Sequence, residues 1–247
     1  MNIILSRKGI DSAAGGRASL IMPSNDLIWI PIPSNKMTTV TNYGIIQTKF
    51  GNLGNFATTL KLKCNKTKVA LGPNSNAHLD PDLDPASLSP RHPGWIPAIG
   101  QRTASAVRLL DAYVKPLDLF LFYGWFRDAC GPDLQPRTLK GKDYYYAPKS
   151  RNLHVIFGYL QVREIYQGEE IEELKTKYPA LSSHPHLNAP HVSVQEKQND
   201  RVYIATERLQ INRLKKSPPG AGVFSFDQKR CLTKCGEHRC SHWRLTG

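Results

Sequence analysis

The sequence predicts a mixed, strand-rich α+β domain with a few packed helices, on three observations. Two long apolar runs, Leu117–Phe126 and Leu153–Val162, are rich in aromatic and β-branched residues and nearly free of polar interruption, as buried strands are. Eighteen glycines and eighteen prolines cut the rest into short extended pieces. Helix signatures are confined to two segments, Gly100–Val114 and Gly168–Tyr178. No Gly/Ser linker or low-complexity tract divides the 247 residues, so residues 1–247 read as one domain.

Charge is distributed unevenly. Of the formal +13, residues 1–75 carry +7 (nine Lys/Arg against two Asp/Glu), residues 76–200 carry −1 (14 against 15) and residues 201–247 carry +7 (ten against three). If the two basic ends meet in space they form one positive face, the footprint of a nucleic-acid partner. No apolar run approaches the ~18 residues needed to span a bilayer. The opening basic residues follow a short apolar run rather than precede it, unlike a signal peptide, so the expected location is the cytoplasm. Five cysteines without a secretory signal are expected to be reduced thiols.

From the N-terminus, Ile3-Ile-Leu reads as a short strand running into the polar turn Ser6-Arg-Lys-Gly-Ile-Asp11. There Ser6, Arg7, Lys8 and Asp11 are exposed, and Gly9, Gly15 and Gly16 allow positive φ and a close approach to a phosphate. The glycine spacing fits neither a Walker loop nor a dinucleotide fingerprint. Leu27–Pro33 reads as an edge strand limited by its prolines. Residues 34–75 read as strand and loop with a basic face from Lys49, Lys61, Lys63, Lys66 and Lys68.

Next comes an acidic constellation, His78-Leu-Asp-Pro-Asp-Leu-Asp84, followed by Arg91 and Trp95. Extended chain before the prolines places His78, Asp80, Asp82 and Asp84 on one face with period two. One imidazole with several carboxylates suits Mg²⁺, Mn²⁺ or a two-histidine, one-carboxylate iron, while Asp-Pro turns with Arg91 pairing a carboxylate explain the same residues structurally. In the helix at Gly100–Val114, Val107, Leu110, Tyr113 and Val114 share a face and Lys115-Pro116 ends it.

In the two long runs, Gly124 and Gly158 mark a bulge or close approach, and Arg127, His154 and Gln161 are polar groups that need partners or a ligand. The segment Gly168–Tyr178 has acids early and lysines late, matching a helix dipole. Ser183-His-Pro-His186 sets two imidazoles beside each other. Near the end, Cys231-x3-Cys235-x4-Cys240-x-His242 lacks the paired knuckles of a structural zinc site, and no zinc is expected there.

Taken together, Ser6-Arg-Lys-Gly-x-Asp11, His78-Leu-Asp-Pro-Asp-Leu83, Arg91 with Gly94-Trp95, Gly100-Gln101, Asp118–Phe126, His154-Val-Ile-Phe-Gly158 and His184-Pro-His186 resemble the third nucleotide-modification-associated domain family over nearly the whole chain. The resemblance implies association with systems that modify bases in phage and bacterial DNA. The two central runs are also similar to the sheet of PUA-like barrels of the EVE and ASCH type, which implies a barrel or strongly curved sheet over a base-binding pocket.

Three functions are consistent with these residues. In a base- or nucleotide-binding module, Trp95 or Trp125 stacks on a base while Arg127, His154 and Gln161 read its edges. In an enzyme, Ser6, Arg7, Lys8 and Asp11 hold phosphate, with Arg91 and Gln101 also on the substrate side. His78, Asp80, Asp82, His184 and His186 then supply proton transfer or hold a metal. A structural or regulatory partner needs no pocket at all. A chemical argument places the first two motifs together: Arg7 and Lys8 are cations without an evident partner, and the aspartates are a dense anionic cluster.

Overall fold

The computed structural model describes residues 1–11, 16–34, 41–102, 113–131, 144–188, 193–211, 217–234 and 239–243. Its strands are β1 (Ile3–Arg7), β2 (Ser19–Ile21), β3 (Leu27–Ile28), β4 (Ile32–Pro33), β5 (Gln47–Thr48), β6 (Gly51–Asn52), β7 (Ala77–His78), β8 (Ala98–Gln101), β9 (Leu119–Cys130), β10 (Tyr145–Tyr146), β11 (Leu153–Gln167), β12 (Arg201–Ala205) and β13 (Ala221–Val223). Among the described residues four α-helices accompany them: α1 (Leu53–Thr59), α2 (Glu170–Lys177), α3 (Pro185–Asn188) and α4 (Val194–Asn199). The architecture is α+β, with a large sheet curled into a half-barrel.

The two apolar runs are the long central strands. β9 and β11 pair antiparallel from Leu119↔Gln161 to Phe126↔Leu153. Around them the order is β3-β2-β9-β11-β12-β8, with β1 and β10 also on β9 and β13 on β11. Both β1 and β2 run parallel to β9, one after the other along it, with Arg7↔Tyr123 in the first and Ser19↔Phe126 in the second.

Curvature enters at register shifts in β11, one between Ile156 and Gly158 and one between Val162 and Glu164. An extra residue bends the bulged strand and increases its twist, so a 15-residue strand pairs with β9 first and β12 afterwards. Gly124 is the close approach: a Cβ there would lie 2.9 Å from the Lys8 carbonyl oxygen.

β9 is more alternating than its sequence suggests. Phe120, Phe122 and Phe126 are fully buried, while Leu121, Tyr123, Trp125 and Arg127 are half-buried on the other face. The inner phenylalanines pack with Phe157, Leu160, Val162 and Tyr203. A second core under the N-terminal third gathers Ile10, Leu20, Ile30, Tyr43, Leu53, Phe56 and Leu62. The third, Ile171, Leu174, Leu181 and Leu187 against Val202 and Ile204, fixes α2 and α3 to the sheet.

Several local expectations meet their elements. The Leu27–Pro33 strand is two short pieces, with β3 ending the path of the large sheet and β4 pairing with β7. Glu172 and Lys175 pair at 2.8 Å along α2. Gly9 and Gly16 have positive φ, 94° and 65°, while Gly15 lies outside the described residues. Of the helix expected at Gly100–Val114, residues 103–112 lie outside the described residues. Its first two residues, Gly100 and Gln101, are strand instead, because β8 pairs with β12 through Gly100↔Val202 and Gln101↔Arg201.

The helix α1 falls where strand and loop were expected. Its seven residues include Gly54 and two threonines, too short and too poor in helix formers to show a period. The Asn52 side chain caps it by accepting from Asn55 N at 3.0 Å.

Candidate functional site

Four separate segments converge on the carboxylate of Asp80. Pairing of β7 with β4 sets His78, and the chain turns at once, with Asp80 N donating to His78 O at 2.8 Å. Asp80 is buried, and its Oδ1 accepts from Gly100 N at 2.7 Å. Lys8, just past the end of β1, donates from Nζ to Oδ2 at 2.7 Å across 72 positions of sequence. The short helix α3 and the turn before it bring His184 Nε2 to 3.6 Å from Oδ1 and His186 Nε2 to 3.8 Å from Oδ2.

The surrounding groups fix the rings. His186 donates from Nδ1 to Asp200 Oδ1 at 3.1 Å, since an ionised carboxylate only accepts, and this leaves the Nε2 lone pair facing Asp80. Arg102 donates from Nε to Asp200 Oδ2 at 2.9 Å and lies 3.8 Å from Glu196. A Cβ at residue 100 would sit 2.1 Å from His186 Cγ, so glycine there is what lets the ring lie against β8. His78 meets His186 edge to face, with ring centroids 5.1 Å apart. Among the described residues, His78, Asp80 and His186 form a group whose donor atoms all lie within 4.8 Å of one another.

Electrostatics suit a charged carboxylate among neutral imidazoles. Burial works to raise the Asp80 carboxyl, but Lys8 beside it, with the neighbouring imidazoles, holds it well below the usual carboxylate range. Burial lowers His78 to about 3 against the pull of Asp80. It also lowers His186, although Asp200 and Asp80 oppose the shift. The His184 side chain is almost wholly buried and its Nε2 has no hydrogen-bond partner.

The period-two face expected for the acidic segment is not what forms, because the turn at Asp80 breaks the extended run. Asp82 is held by Arg91 through two bonds, NH1–Oδ2 at 2.7 Å and NH2–Oδ1 at 2.6 Å, and accepts from Trp95 Nε1 at 3.1 Å. The Arg91 guanidinium also covers the Trp95 ring at 4.3 Å. Asp84 caps the following 3-10 turn by accepting from Ala86 N. Arg7 and Lys8 likewise part company, as neighbours on a strand must: Lys8 joins Asp80, and Arg7 pairs with Asp11 at 3.1 Å. Both cations are therefore compensated, Lys8 by the acidic segment as the charge argument expects and Arg7 within its own turn.

Other expected residues lie elsewhere. Ser6 is half-buried within β1, and Gln101 is buried in β8. Trp125 Nε1 donates to Asn152 Oδ1 at 2.9 Å, and Arg127 donates to Ser150 Oγ at 2.9 Å while lying over Tyr146. Gln161 is fully buried, donating to the Leu117 and Gln210 carbonyls and accepting from Gln210 N.

His154 belongs to a second cluster, where the chain's two ends meet. Its Nδ1 accepts from Trp243 Nε1 at 2.9 Å, its backbone N–H donates to Thr233 Oγ1, and its Nε2 is buried without a partner. The Tyr123 ring, beside Arg7 in the β1–β9 register, packs edge to face on both His154 and Trp243. Cys231 Sγ faces the Thr233 carbonyl, and Cys235 lies outside the described residues.

Of the residues gathered around Asp80, sequence reasoning names His78, His184, His186 and Lys8 but marks neither Gly100 as a contact surface nor Arg102 and Asp200 as supports. Asp200 stands as a lone acid before the apolar strand β12, with nothing local to mark it.

No helix among the described residues is long and apolar enough to cross a membrane. Comparison with curated proteins and with solved structures finds no match. The family described as nucleotide modification associated domain 3 matches residues 2–247, a span that includes every residue of the Asp80 centre, and the chain belongs to that family.

Proposed function

We propose that this protein modifies a nucleotide or a nucleic-acid base, and that the Asp80 centre is where the chemistry takes place. The observation that carries this reading is the gathering of a buried carboxylate and two buried imidazoles with a half-buried ammonium and a half-buried third imidazole at a junction of four segments. Such a group does little for folding, since apolar residues of similar volume do as well or better. Perturbed ionisable groups gathered in one place are characteristic of reaction centres. His186 presents a lone pair held by Asp200, beside an ionised carboxylate and a second neutral imidazole, so the centre can accept a proton or a cation. His78 is only half-buried and gives the centre its access. An ammonium has three donors and Asp80 takes one, which leaves Lys8 suited to hold a substrate phosphate.

Recognition of a base without chemistry is a second reading, favoured by the Tyr123–His154–Trp243 cluster beside Arg7. There an unpartnered imidazole nitrogen and aromatic rings lie beside the strand position of Arg7. Mass spectrometry of small molecules and nucleosides copurifying with the protein tests the shared premise. Nucleotides or modified nucleosides enriched over an unrelated basic protein support it, and their absence with and without added DNA counts against both readings.

A further inference from the structure

We propose that His78, Asp80 and His186 bind one first-row divalent cation through two imidazole nitrogens and one carboxylate oxygen. This names the cofactor class of the Asp80 centre, and it rests on the reading above only for the use to which the ion is put.

Four observations carry the assignment. The first is the donor set: two nitrogens and one oxygen suit iron(II), zinc and their neighbours, whereas Mg²⁺ and Ca²⁺ favour oxygen donors throughout. The second is spacing. Metal–ligand bonds of roughly 2.0–2.2 Å place adjacent donor atoms about 3 Å apart. Donors already gathered within 4.8 Å, with His186 Nε2 and Asp80 Oδ2 at 3.8 Å, need only a small inward shift to reach that spacing.

The third is orientation. The His186 Nδ1–H···Asp200 bond at 3.1 Å, with Asp200 held in turn by Arg102, is the carboxylate–histidine arrangement that fixes a ligating ring and raises its basicity. Gly100 clears the space that this ring pose requires.

The fourth is the orphan nitrogen. His184 Nδ1 accepts from His186 N at 3.3 Å, so its Nε2 carries the proton, and this buried N–H faces Asp80 Oδ1 at 3.6 Å, too far for a hydrogen bond. Three protein donors leave coordination positions open, and a water or substrate oxygen on one of them can supply that acceptor. Lys8 meanwhile competes with the ion for Asp80 Oδ2 and keeps the carboxylate ionised when no ion is bound.

The test uses full-length protein freed of metal by a chelator and titrated calorimetrically with Zn²⁺, with Fe²⁺ under anaerobic conditions, and with Mg²⁺. One equivalent of Zn²⁺ or Fe²⁺ should bind, and Mg²⁺ at least a hundredfold more weakly. His78→Gln and His186→Gln should each weaken binding at least tenfold. Asp200→Asn should weaken it by about 10–100-fold, and Lys8→Met should tighten it. Cys240→Ser and His242→Gln should leave it unchanged.

Should the histidine variants fail to fold, the Co²⁺ adduct of the wild type decides, because ligation by nitrogen and oxygen alone gives no thiolate charge-transfer band. No binding, binding indifferent to both histidines, or a thiolate band would each overturn the proposal. A nucleotide product formed by rigorously metal-free protein would overturn the ion's part in the chemistry and leave the function standing. Stoichiometric metal with no product on any nucleotide would do the reverse.

Discussion

Replacing Lys8 with Met in metal-free protein should destabilise the fold by about 3 kcal/mol. Asp80 is 5% exposed and its Oδ2 lies 2.7 Å from Lys8 Nζ, so the substitution leaves an ionised carboxylate in the interior without its main counter-charge. Breaking a buried pair from one side costs roughly 3–5 kcal/mol. The lower end applies here because Gly100 N–H still donates to Oδ1. The double variant Lys8→Met/Asp80→Asn removes both charges and keeps an acceptor for Gly100, and should recover to within about 1 kcal/mol of wild type.

The sign of the pH dependence follows from the depressed Asp80 carboxyl. In the wild type its contribution is present above the ordinary carboxylate range and is lost as pH falls. In Lys8→Met, burial is no longer outweighed and the carboxyl rises, so the deficit relative to wild type should shrink towards acid. Urea unfolding of the four proteins of the cycle, at neutral and mildly acid pH, measures all of this. A single-variant loss below about 0.5 kcal/mol, as for an exposed pair, with no coupling in the cycle, would refute the reasoning.

Three further outcomes are expected. His154, lowered by burial to about 4, stays neutral in the fold while the unfolded chain titrates near 6.5. Its share of the fall in stability as pH drops from about 6.5 to 4 is at most ~3 kcal/mol at ~1.4 kcal/mol per pH unit, and His154→Gln should make that fall shallower in thermal melts, leaving the part due to His78 and His186. Gly100→Ala forces a Cβ to 2.1 Å from His186 Cγ. It should cost about 1–3 kcal/mol by overpacking, and the metal affinity of the centre should fall, as isothermal titration will report. DNA binding by the basic ends should weaken with salt, at a log–log slope of about −0.7 to −0.9 per phosphate contacted, in fluorescence anisotropy. Neutralising Lys61, Lys63, Lys66 and Lys68 together should lower affinity without altering sequence preference.

What could be read from the chain was whatever a short window encodes. Aromatic and β-branched runs marked β9 and β11, Gly158 marked the bulge, and the acid-to-lysine gradient marked α2. Of the site, the histidines and Asp80 stood out because imidazoles and clustered acids are chemically conspicuous, and the charge of Lys8 suggested an anionic partner.

What could not be read was direction. Whether Asp80 and Asp82 share a face depends on a turn that period-two reasoning does not foresee. Gln161 looked like a ligand-reading group because a polar residue in an apolar run needs partners. Those partners, Leu117 and Gln210, lie 44 and 49 positions away, where no local pattern points to them. Asp200 and Gly100 acquire their roles only when β8 pairs with β12 and α3 lands on the pair.

The central claim is that the Asp80 centre does chemistry on a nucleotide or base. Purified protein, loaded with Zn²⁺ or Fe²⁺, is incubated with nucleotides and with duplex and single-stranded DNA, and the products are digested and resolved by nucleoside mass spectrometry. A nucleoside of altered mass should form with wild type and be absent with Asp80→Asn and His186→Gln at matched folding. Product formed equally by the variants, or nucleotides bound and returned unaltered by the wild type, would contradict the account.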